Sequence, residues 1–188
     1  MSRGNTRQRI QEVALELFAD HGYEKTSLRE IAEHLGVTKA ALYYHFRTKE
    51  DLVVSIFEDL NRPVAELIEW AEQQPHTLET KKEVLRRYSL ALGDALPLFR
   101  FLQENQAALR DLSLGQRMKE RMVHLSSLLR DDDAPLVDQM RAVSALFTMH
   151  AGMFAWREVK GEPEERRLAA LQVAEELITV AHGGERAA

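Results

Sequence analysis

The amino-acid sequence predicts an all-α protein, and three observations support that fold class. Apolar residues recur at spacings of three and four, the period of a helix with one buried face. Residues that cap helix N-termini stand directly before several of these repeats. The alternating pattern of a β-strand is not found in the 188 residues. We expect a small helical domain at residues 1–47 and a larger one at residues 48–188.

The first 47 residues contain three predicted helices. The first runs from about Thr6 to His21-Gly22, with an apolar stripe that starts at Ile10. Ser27 followed by Glu30 is a capping-box pattern that opens the second helix, and a glycine ends it at position 36. A short helix follows this turn. Two helices joined by a short glycine turn form a helix-turn-helix, and the first helix completes its core.

The third helix, between Gly36 and Lys49, has two different faces. Thr38 is its predicted N-cap, and Leu42 and Phe46, four residues apart, form an inward apolar seam. The opposite face combines cations with tyrosines, which is unusual for a face that meets only water: Lys39, Ala40, Tyr43, Tyr44 and Arg47. Lysine can donate to guanine, an alanine methyl can touch thymine, and tyrosine hydroxyls can reach phosphates. DNA reading is therefore the first hypothesis.

Helices are predicted throughout the rest of the chain. Thr48 with Asp51 caps a fourth helix, which we expect Pro63 to kink rather than end. Further helices are predicted from Thr77 to about residue 96, from Pro97 through residue 109, and from residue 115 to residue 130. The run from Asp131 to Asp133 is interpreted as a solvated acidic loop rather than a metal site.

Two helices near the C-terminus are predicted to form a dimer interface. Residues 142–156 contain no Asp, Glu, Lys or Arg, so a helix there must be covered on more than one side. It is too short to span a membrane, which needs about 20 residues. Pro163 begins a last helix. We expect these two helices to pair with those of a second copy, as a four-helix bundle in a homodimer.

Composition excludes several classes of protein. The absence of cysteine excludes disulfides and thiol chemistry. The net charge of −5 argues against a protein that coats nucleic acid everywhere. Residues 1–50 carry eight Lys or Arg against seven Asp or Glu, and the remainder carries 17 against 23. With no signal or lipidation pattern at the N-terminus, we expect a cytoplasmic protein that binds no membrane, cofactor or metal.

Four segments of the first quarter of the chain carry a family resemblance. They are Thr26 to Ala32, Gly36 to Thr38, Leu42 to Phe46 and Lys49 to Leu52, with Phe18 and Gly22 upstream. In this combination the chain resembles the TetR family of transcriptional regulators. The resemblance implies a three-helix DNA-binding domain followed by a divergent effector-binding and dimerisation domain. It also implies a repressor that binds a palindromic operator on double-stranded DNA as a dimer and is released by a small-molecule effector.

The resemblance also implies which residues meet DNA. The family pattern places these residues at the DNA or its phosphates: Arg29, Thr38, Lys39, Ala40, Tyr43, Tyr44, His45 and Lys49. A lysine in the first turn of a helix opposes the helix dipole, so Lys49 is easier to explain if a phosphate sits there. For His45 a packing role is equally open. Arg3, Arg7 and Arg9 form either a DNA-contacting arm or a disordered tail.

Aromatic residues and methionines of the larger domain are candidates for an effector pocket. An apolar pocket with a few polar groups fits such residues, and so does a plain core. The candidates are Trp70, Tyr88, Phe99, Asn105, Met118, Met122, Met149, His150 and Met153. The effector itself is unknown.

Two other functional classes stay open. An enzyme would need catalytic spacings, but the seven histidines are scattered and neither a phosphate-binding loop nor a nucleophile elbow occurs. A helical adaptor that binds only protein is the other alternative, and it would not explain the cationic and aromatic face around Lys39 and Tyr43.

Overall fold

The computed structural model of the chain describes residues 3–94, 101, 104–105, 114–154 and 159–183. The residues it describes form nine helices and no strand, so the all-α prediction is confirmed. The helices are α1 (Arg3–His21), α2 (Leu28–Leu35), α3 (Lys39–His45), α4 (Lys49–Leu60), α5 (Arg62–Glu72), α6 (Leu78–Asp94), α7 (Leu114–Leu129), α8 (Leu136–Phe154) and α9 (Pro163–Gly183).

The described residues divide into two compact units. The first comprises residues 3–62 together with 101, 104–105 and 114–117, and the second comprises residues 63–94, 118–154 and 159–183. The sequence-based boundary after residue 47 stays a prediction. Among the described helices, none is long and apolar enough to cross a lipid bilayer.

The first unit is built around α1. This helix packs against α2 and α4, and α2 packs against α3. The predicted apolar stripes meet in one core formed by Ile10, Ala14, Phe18, Ile31, Leu42, Phe46, Leu52, Val53, Ile56 and Phe57. Burying each of the larger side chains contributes about 1.5–3 kcal/mol relative to leaving it exposed. One buried polar group, the Gln11 amide, donates to Ser55 Oγ at 3.0 Å and to Asp59 Oδ2 at 2.6 Å, which ties α1 to α4.

The junction of α4 and α5 differs from the sequence-based prediction of one kinked helix. The fourth helix ends at Leu60, and the Asn61 side chain donates to the Phe57 carbonyl at 2.8 Å. A separate helix begins at Arg62 and holds Pro63 in its first turn. Proline is well suited to that position because its missing N–H has no partner in the first turn of any helix.

The second unit is organised around α9. The eighth and ninth helices pack along each other, and α6 packs against α9. The core residues include Val84, Leu85, Leu125, Leu129, Ala145, Leu146, Ala174 and Ile178. Thr77 caps α6 as predicted, since its hydroxyl accepts from the Thr80 amide at 3.2 Å. The helix predicted from Pro97 through residue 109 lies outside the described residues.

The acidic run before α8 is only partly solvated, contrary to the interpretation from sequence. Asp132 and Asp133 are exposed. Asp131 pairs at 2.5 Å with Lys81, whose side chain is 2% exposed. A buried ammonium without a carboxylate would be costly, so this pair fixes the loop onto the start of α6. No cluster of three or more metal-ligating side chains occurs among the described residues.

Replacing Asp131 with asparagine should lower the free energy of unfolding by about 2–3 kcal/mol, because the Lys81 ammonium would stay buried without its carboxylate. Thermal or urea unfolding measures this change. The matched control is Asp132→Asn, which removes the same charge from an exposed position on the same loop. We expect an effect below about 0.5 kcal/mol for the control. Equal destabilisation by both substitutions would contradict a structural role for the pair.

Candidate nucleic-acid interface

Local capping interactions define the ends of α2. The Ser27 hydroxyl accepts from the Glu30 amide at 3.2 Å, and the Glu30 carboxylate accepts from the Ser27 amide at 3.4 Å. The predicted capping box is therefore confirmed. At the other end, Gly36 adopts a φ of 66°, a left-handed conformation in which a side chain is strained. The chain then turns sharply into the cap of α3.

The third helix is anchored by two apolar side chains. Leu42 and Phe46 are buried in the core of the first unit. The Thr38 hydroxyl accepts from the Ala41 amide at 3.2 Å and caps the helix, as predicted. The Arg7 guanidinium of α1 lies 4.7 Å from the centroid of the Phe46 ring. These contacts orient the helix so that its opposite face points away from the core.

The outward face of α3 carries the predicted aromatic and cationic groups. Tyr44 is 72% exposed and Tyr43 is 41% exposed. The Lys39 ammonium lies 5.2 Å from the centroid of the Tyr43 ring, a distance at which a cation is attracted to an aromatic face. Exposed side chains of Thr38, Ala40 and Arg47 complete the surface. We call the face formed by Thr38, Lys39, Ala40, Tyr43, Tyr44 and Arg47 the α3 outer face.

Two further predicted contact residues lie beside the α3 outer face. His45 is half-buried, and its ring centroid lies 5.3 Å from that of Tyr44 and 6.4 Å from that of Phe46. Arg29, on α2, is exposed and pairs with Glu33 at 2.7 Å. A rim salt bridge of this kind contributes little to stability, so the guanidinium can exchange its partner at little cost.

The N-terminal arginines are not a disordered tail, one of the two alternatives left open by the sequence. Arg3, Arg7 and Arg9 all lie within α1. Arg7 is engaged with the Phe46 ring, and Arg9 is exposed. Contact of these residues with DNA stays a prediction.

Lys49 has partners within its own chain. Its ammonium group donates to the carbonyl oxygen of Tyr23 at 2.6 Å, of Thr26 at 3.0 Å and of Glu24 at 3.4 Å. The same nitrogen lies 4.1 Å from the centroid of the Tyr23 ring. Burial lowers the pKa of Lys49, and the nearby carboxylates of Glu50 and Glu24 oppose that shift. The position of this lysine therefore does not require a phosphate at the start of α4.

Sequence reasoning missed Tyr23 as part of this arrangement. The Tyr23 side chain is buried, and its hydroxyl donates to Glu50 Oε1 at 3.1 Å. Burial is the main reason that its pKa is raised, and the Glu50 carboxylate adds to the shift. Its ring meets Phe18 edge-on, and Phe101 stacks on Phe18 at a centroid distance of 5.2 Å. Tyr23 stands in a turn, where no helical period could have indicated its burial.

The second unit brings together three of the effector-pocket candidates. The Tyr88 hydroxyl lies 3.0 Å from His150 Nε2 and 3.4 Å from the sulfur of Met122. Burial raises the pKa of Tyr88 and lowers that of His150, so burial favours the neutral form of both groups. Met149 is buried and Met118 is half-buried.

The other pocket candidates are not part of this cluster. The Arg87 guanidinium lies 3.8 Å from the centroid of the Trp70 ring. Asn105 belongs to the first unit and donates to the Phe101 carbonyl at 2.9 Å. Phe99 and the side chain of Met153 lie outside the described part of the chain.

Acid should destabilise the second unit through His150. Because burial lowers its pKa in the folded protein, the unfolded chain binds a proton more readily. The stabilising contribution is present above the ordinary histidine pKa of about 6.5 and is lost as the pH falls below it. Melting temperatures at about pH 7.5 and about pH 5.5 should therefore differ more for the wild type than for His150→Gln. The exposed His76→Gln is the control, and an unchanged pH dependence in His150→Gln would contradict the prediction.

The fold and the α3 outer face define a class of protein. A capped, glycine-terminated helix followed by a short helix with an exposed cationic and aromatic face is a helix-turn-helix of the type that enters the major groove. Residues 10–56 match the family model described as bacterial regulatory proteins, tetR family. This match lies in the part of the chain that carries the resemblance recognised in the sequence, and it confirms that resemblance.

Curated relatives match over part of the chain. The regulator AcrR of Shigella flexneri is 43% identical over 82 residues, which cover 43% of this chain and 38% of the relative. The fatty acid metabolism regulator protein of Bacillus subtilis is 28% identical over 126 residues, covering 64% of this chain and 59% of the relative. The chain thus spans less than two thirds of the length of each of these relatives.

Solved structures match over nearly the whole chain. The fatty acid degradation regulator FadR of Bacillus halodurans gives a TM-score of 0.65 at 18% identity and covers 99% of both chains. A TetR-family transcriptional regulator of Marinobacter aquaeolei gives a TM-score of 0.63 at 21% identity, covering 96% of this chain and 98% of the other. At these identities the likeness shows the shared fold alone.

Proposed function

We propose that this chain is a ligand-responsive transcriptional repressor that binds a palindromic operator as a homodimer and is released by a small-molecule effector. The observation that carries the proposal is the α3 outer face, which presents cationic and aromatic groups to solvent from a helix with a firmly buried seam. A seam of this kind keeps the face rigid, and rigid presentation lowers the entropic cost of binding.

Within this proposal the residues of the α3 outer face divide by chemistry. Lys39 can donate to guanine, and Ala40 can touch the methyl group of thymine. The hydroxyls of Thr38, Tyr43 and Tyr44 reach phosphates or base edges. Beside this face, His45 and Arg29 lie where phosphates would flank the helix, and we include both as proposed contacts.

Substituting Lys39 tests DNA reading. The operator is a duplex selected by the wild type from a randomised pool, and affinity is measured by gel shift at several salt concentrations. Lys39→Met should weaken operator binding by about 5–150-fold, the loss expected for one base contact, and relax sequence preference at one position of each half-site. The control, Lys119→Met, removes an exposed lysine from α7 and should leave affinity and preference unchanged. Failure of the wild type to enrich any sequence would reject the proposal.

The homodimer is supported by apolar surface on the two long C-terminal helices. On α8, Leu136, Met140 and Phe147 share one face at spacings of four and seven and are all exposed. On α9, Val173 and Val180 are seven residues apart and also exposed. Rows of exposed apolar side chains on two helices that pack along each other support an interaction site there. One short helix reads only a few base pairs, so two copies on half-sites about 34 Å apart, or a multiple of that distance, give the needed specificity.

A charge placed on this surface should separate the two copies. Phe147 is 57% exposed, and Phe147→Glu would bury a carboxylate within the proposed four-helix interface. Light scattering at micromolar concentration should then report a monomer, with operator affinity lost in parallel. The control is Val123→Glu on α7, where the side chain is 62% exposed. A monomeric wild type, or a Phe147→Glu protein that stays dimeric, would count against the homodimer.

For the effector site we propose the cluster of Tyr88, Met122 and His150. Its groups are apolar or neutral, which suits an uncharged or largely apolar ligand with one hydrogen-bonding group. The name of the Bacillus subtilis relative, a fatty acid metabolism regulator, fits an effector with an apolar chain. The remaining candidates stay part of this proposal: Trp70, Phe99, Asn105, Met118, Met149 and Met153. An effector shifts operator binding only as far as its affinities for the two states of the protein differ.

A further inference from the structure

We propose that Phe101 is a positioning residue of the first unit, which acts through Tyr23 to fix the turn before α2. Phe101 lies beyond α6 in the sequence, outside the helix-turn-helix. The proposal rests on the proposed DNA-binding function for its affinity readout. A second readout, amide exchange in the free protein, does not depend on DNA.

Phe101 is part of the core of the first unit. Its side chain is buried, and it belongs to that unit together with residues 3–62. The Phe101 ring stacks on Phe18 of α1 at a centroid distance of 5.2 Å and meets Tyr23 edge-on at 6.0 Å. Phe18 and Tyr23 also meet edge-on, at 5.3 Å. The three rings therefore form one closed cluster, and aromatic pairs at such distances attract each other beyond the effect of their burial.

The backbone that carries the Phe101 ring is itself held. The Phe101 carbonyl oxygen accepts from the backbone amide of Asn105 at 3.1 Å and from the side-chain amide of the same residue at 2.9 Å. A second residue from beyond α6 is attached to the same unit, because Arg117 of α7 pairs with Glu58 of α4. The Phe101 ring is therefore a fixed support for the rings it touches.

Tyr23 transfers this support to the helix-turn-helix. It stands in the turn that leads from α1 into α2, and its hydroxyl donates to Glu50 Oε1 of α4 at 3.1 Å. Its carbonyl oxygen accepts from the Lys49 ammonium at 2.6 Å. The position of Tyr23 thus sets how the start of α2 lies against the start of α4. Because α2 packs against α3, a displaced Tyr23 would move the α3 outer face.

The turn is the part of this cluster that moves if the Phe101 ring is lost. Removing a buried ring leaves a cavity, and the surrounding side chains relax into it only partially. Phe18 lies within α1, where helical hydrogen bonds hold its backbone. Tyr23 lies outside any helix. We therefore expect the cavity to displace Tyr23 more than Phe18.

Two substitutions of Phe101 test the effect on DNA binding. Phe101→Ala removes the ring, and Phe101→Leu keeps a smaller apolar side chain. Binding of the operator selected by the wild type is measured at a temperature where the variants are folded. We expect Phe101→Ala to weaken binding at least about fivefold, the loss for one misplaced base contact, and Phe101→Leu to weaken it by a smaller factor. If Phe101→Ala does not fold, Phe101→Leu carries the test. Wild-type affinity in every folded variant would overturn the proposal.

Amide hydrogen exchange of the full-length protein supplies the readout without DNA. In Phe101→Leu, peptides covering residues 18–28 and 39–48 should exchange at least about threefold faster, while peptides from α9 should not change. Unchanged exchange in residues 18–28 would overturn the proposal. Faster exchange with wild-type operator affinity would show a structural role only and would overturn the positioning role. If the wild type selects no duplex, the proposed function fails, and the exchange result still decides whether Phe101 holds the turn.

A double-mutant cycle tests whether Phe101 acts through Tyr23. Tyr23→Phe keeps the ring and removes the hydroxyl that donates to Glu50. If Phe101 positions that hydroxyl, the double variant with Phe101→Leu should bind the operator at least about twofold more tightly than two independent losses would give. Losses that simply multiply would overturn the route through Tyr23.

General destabilisation is controlled by a substitution in the other unit. Val84 of α6 is buried in the second unit, and Val84→Ala lowers stability without touching the three-ring cluster. We expect Val84→Ala to bind the operator like the wild type and to leave exchange in residues 18–28 unchanged. A loss of affinity in Val84→Ala equal to that in Phe101→Leu would show that Phe101 acts through overall stability, and would overturn the positioning role.

Discussion

The helix that carries the proposed DNA-binding face is only seven residues long, and a helix of that length is not stable in water without tertiary anchors. Every property of the α3 outer face therefore depends on how the helix is held. The side chains of Leu42 and Phe46 anchor the helix because they are buried in the core of the first unit. The Thr38 cap fixes its first turn. The Lys49 ammonium joins the start of α4 to the turn between α1 and α2. Rigid presentation of Lys39 and Tyr43 is a consequence of these contacts.

Features that depend on neighbouring residues were predictable from the sequence. The capping boxes of α2 and α4, the end of α2 at Gly36 and the buried seam of α3 each depend on residues a few positions apart, and all were confirmed. Features that depend on distant partners were not. Lys49 and its carbonyls are 23 to 26 positions apart, and Lys81 and Asp131 are 50 apart. Helical periodicity gives no information about such pairings, so the sequence assigned the lysine to a DNA phosphate and the aspartate to a solvated loop.

We assign different proposed functions to the two units. The first has a nearly balanced charge and a rigid outward helix, which suits contact with DNA without general attraction to it. The second has exposed apolar rows on α8 and α9 for a second copy and a neutral cluster at Tyr88 and His150 for a ligand. The family match covers residues 10–56, so the regulatory role proposed for the second unit is argued from that unit's own side chains. The scattered positions of Trp70 and Asn105 illustrate why composition alone could not separate pocket from core.

The most direct test of the α3 outer face as the DNA-binding surface is a proton–nitrogen spectrum of the lysine ammonium groups, recorded for the free protein and with the selected duplex. We expect the Lys39 resonance to move when the duplex is added, and that of the exposed Lys119 on α7 to stay in place. A Lys39 resonance that the duplex leaves unshifted would contradict the account.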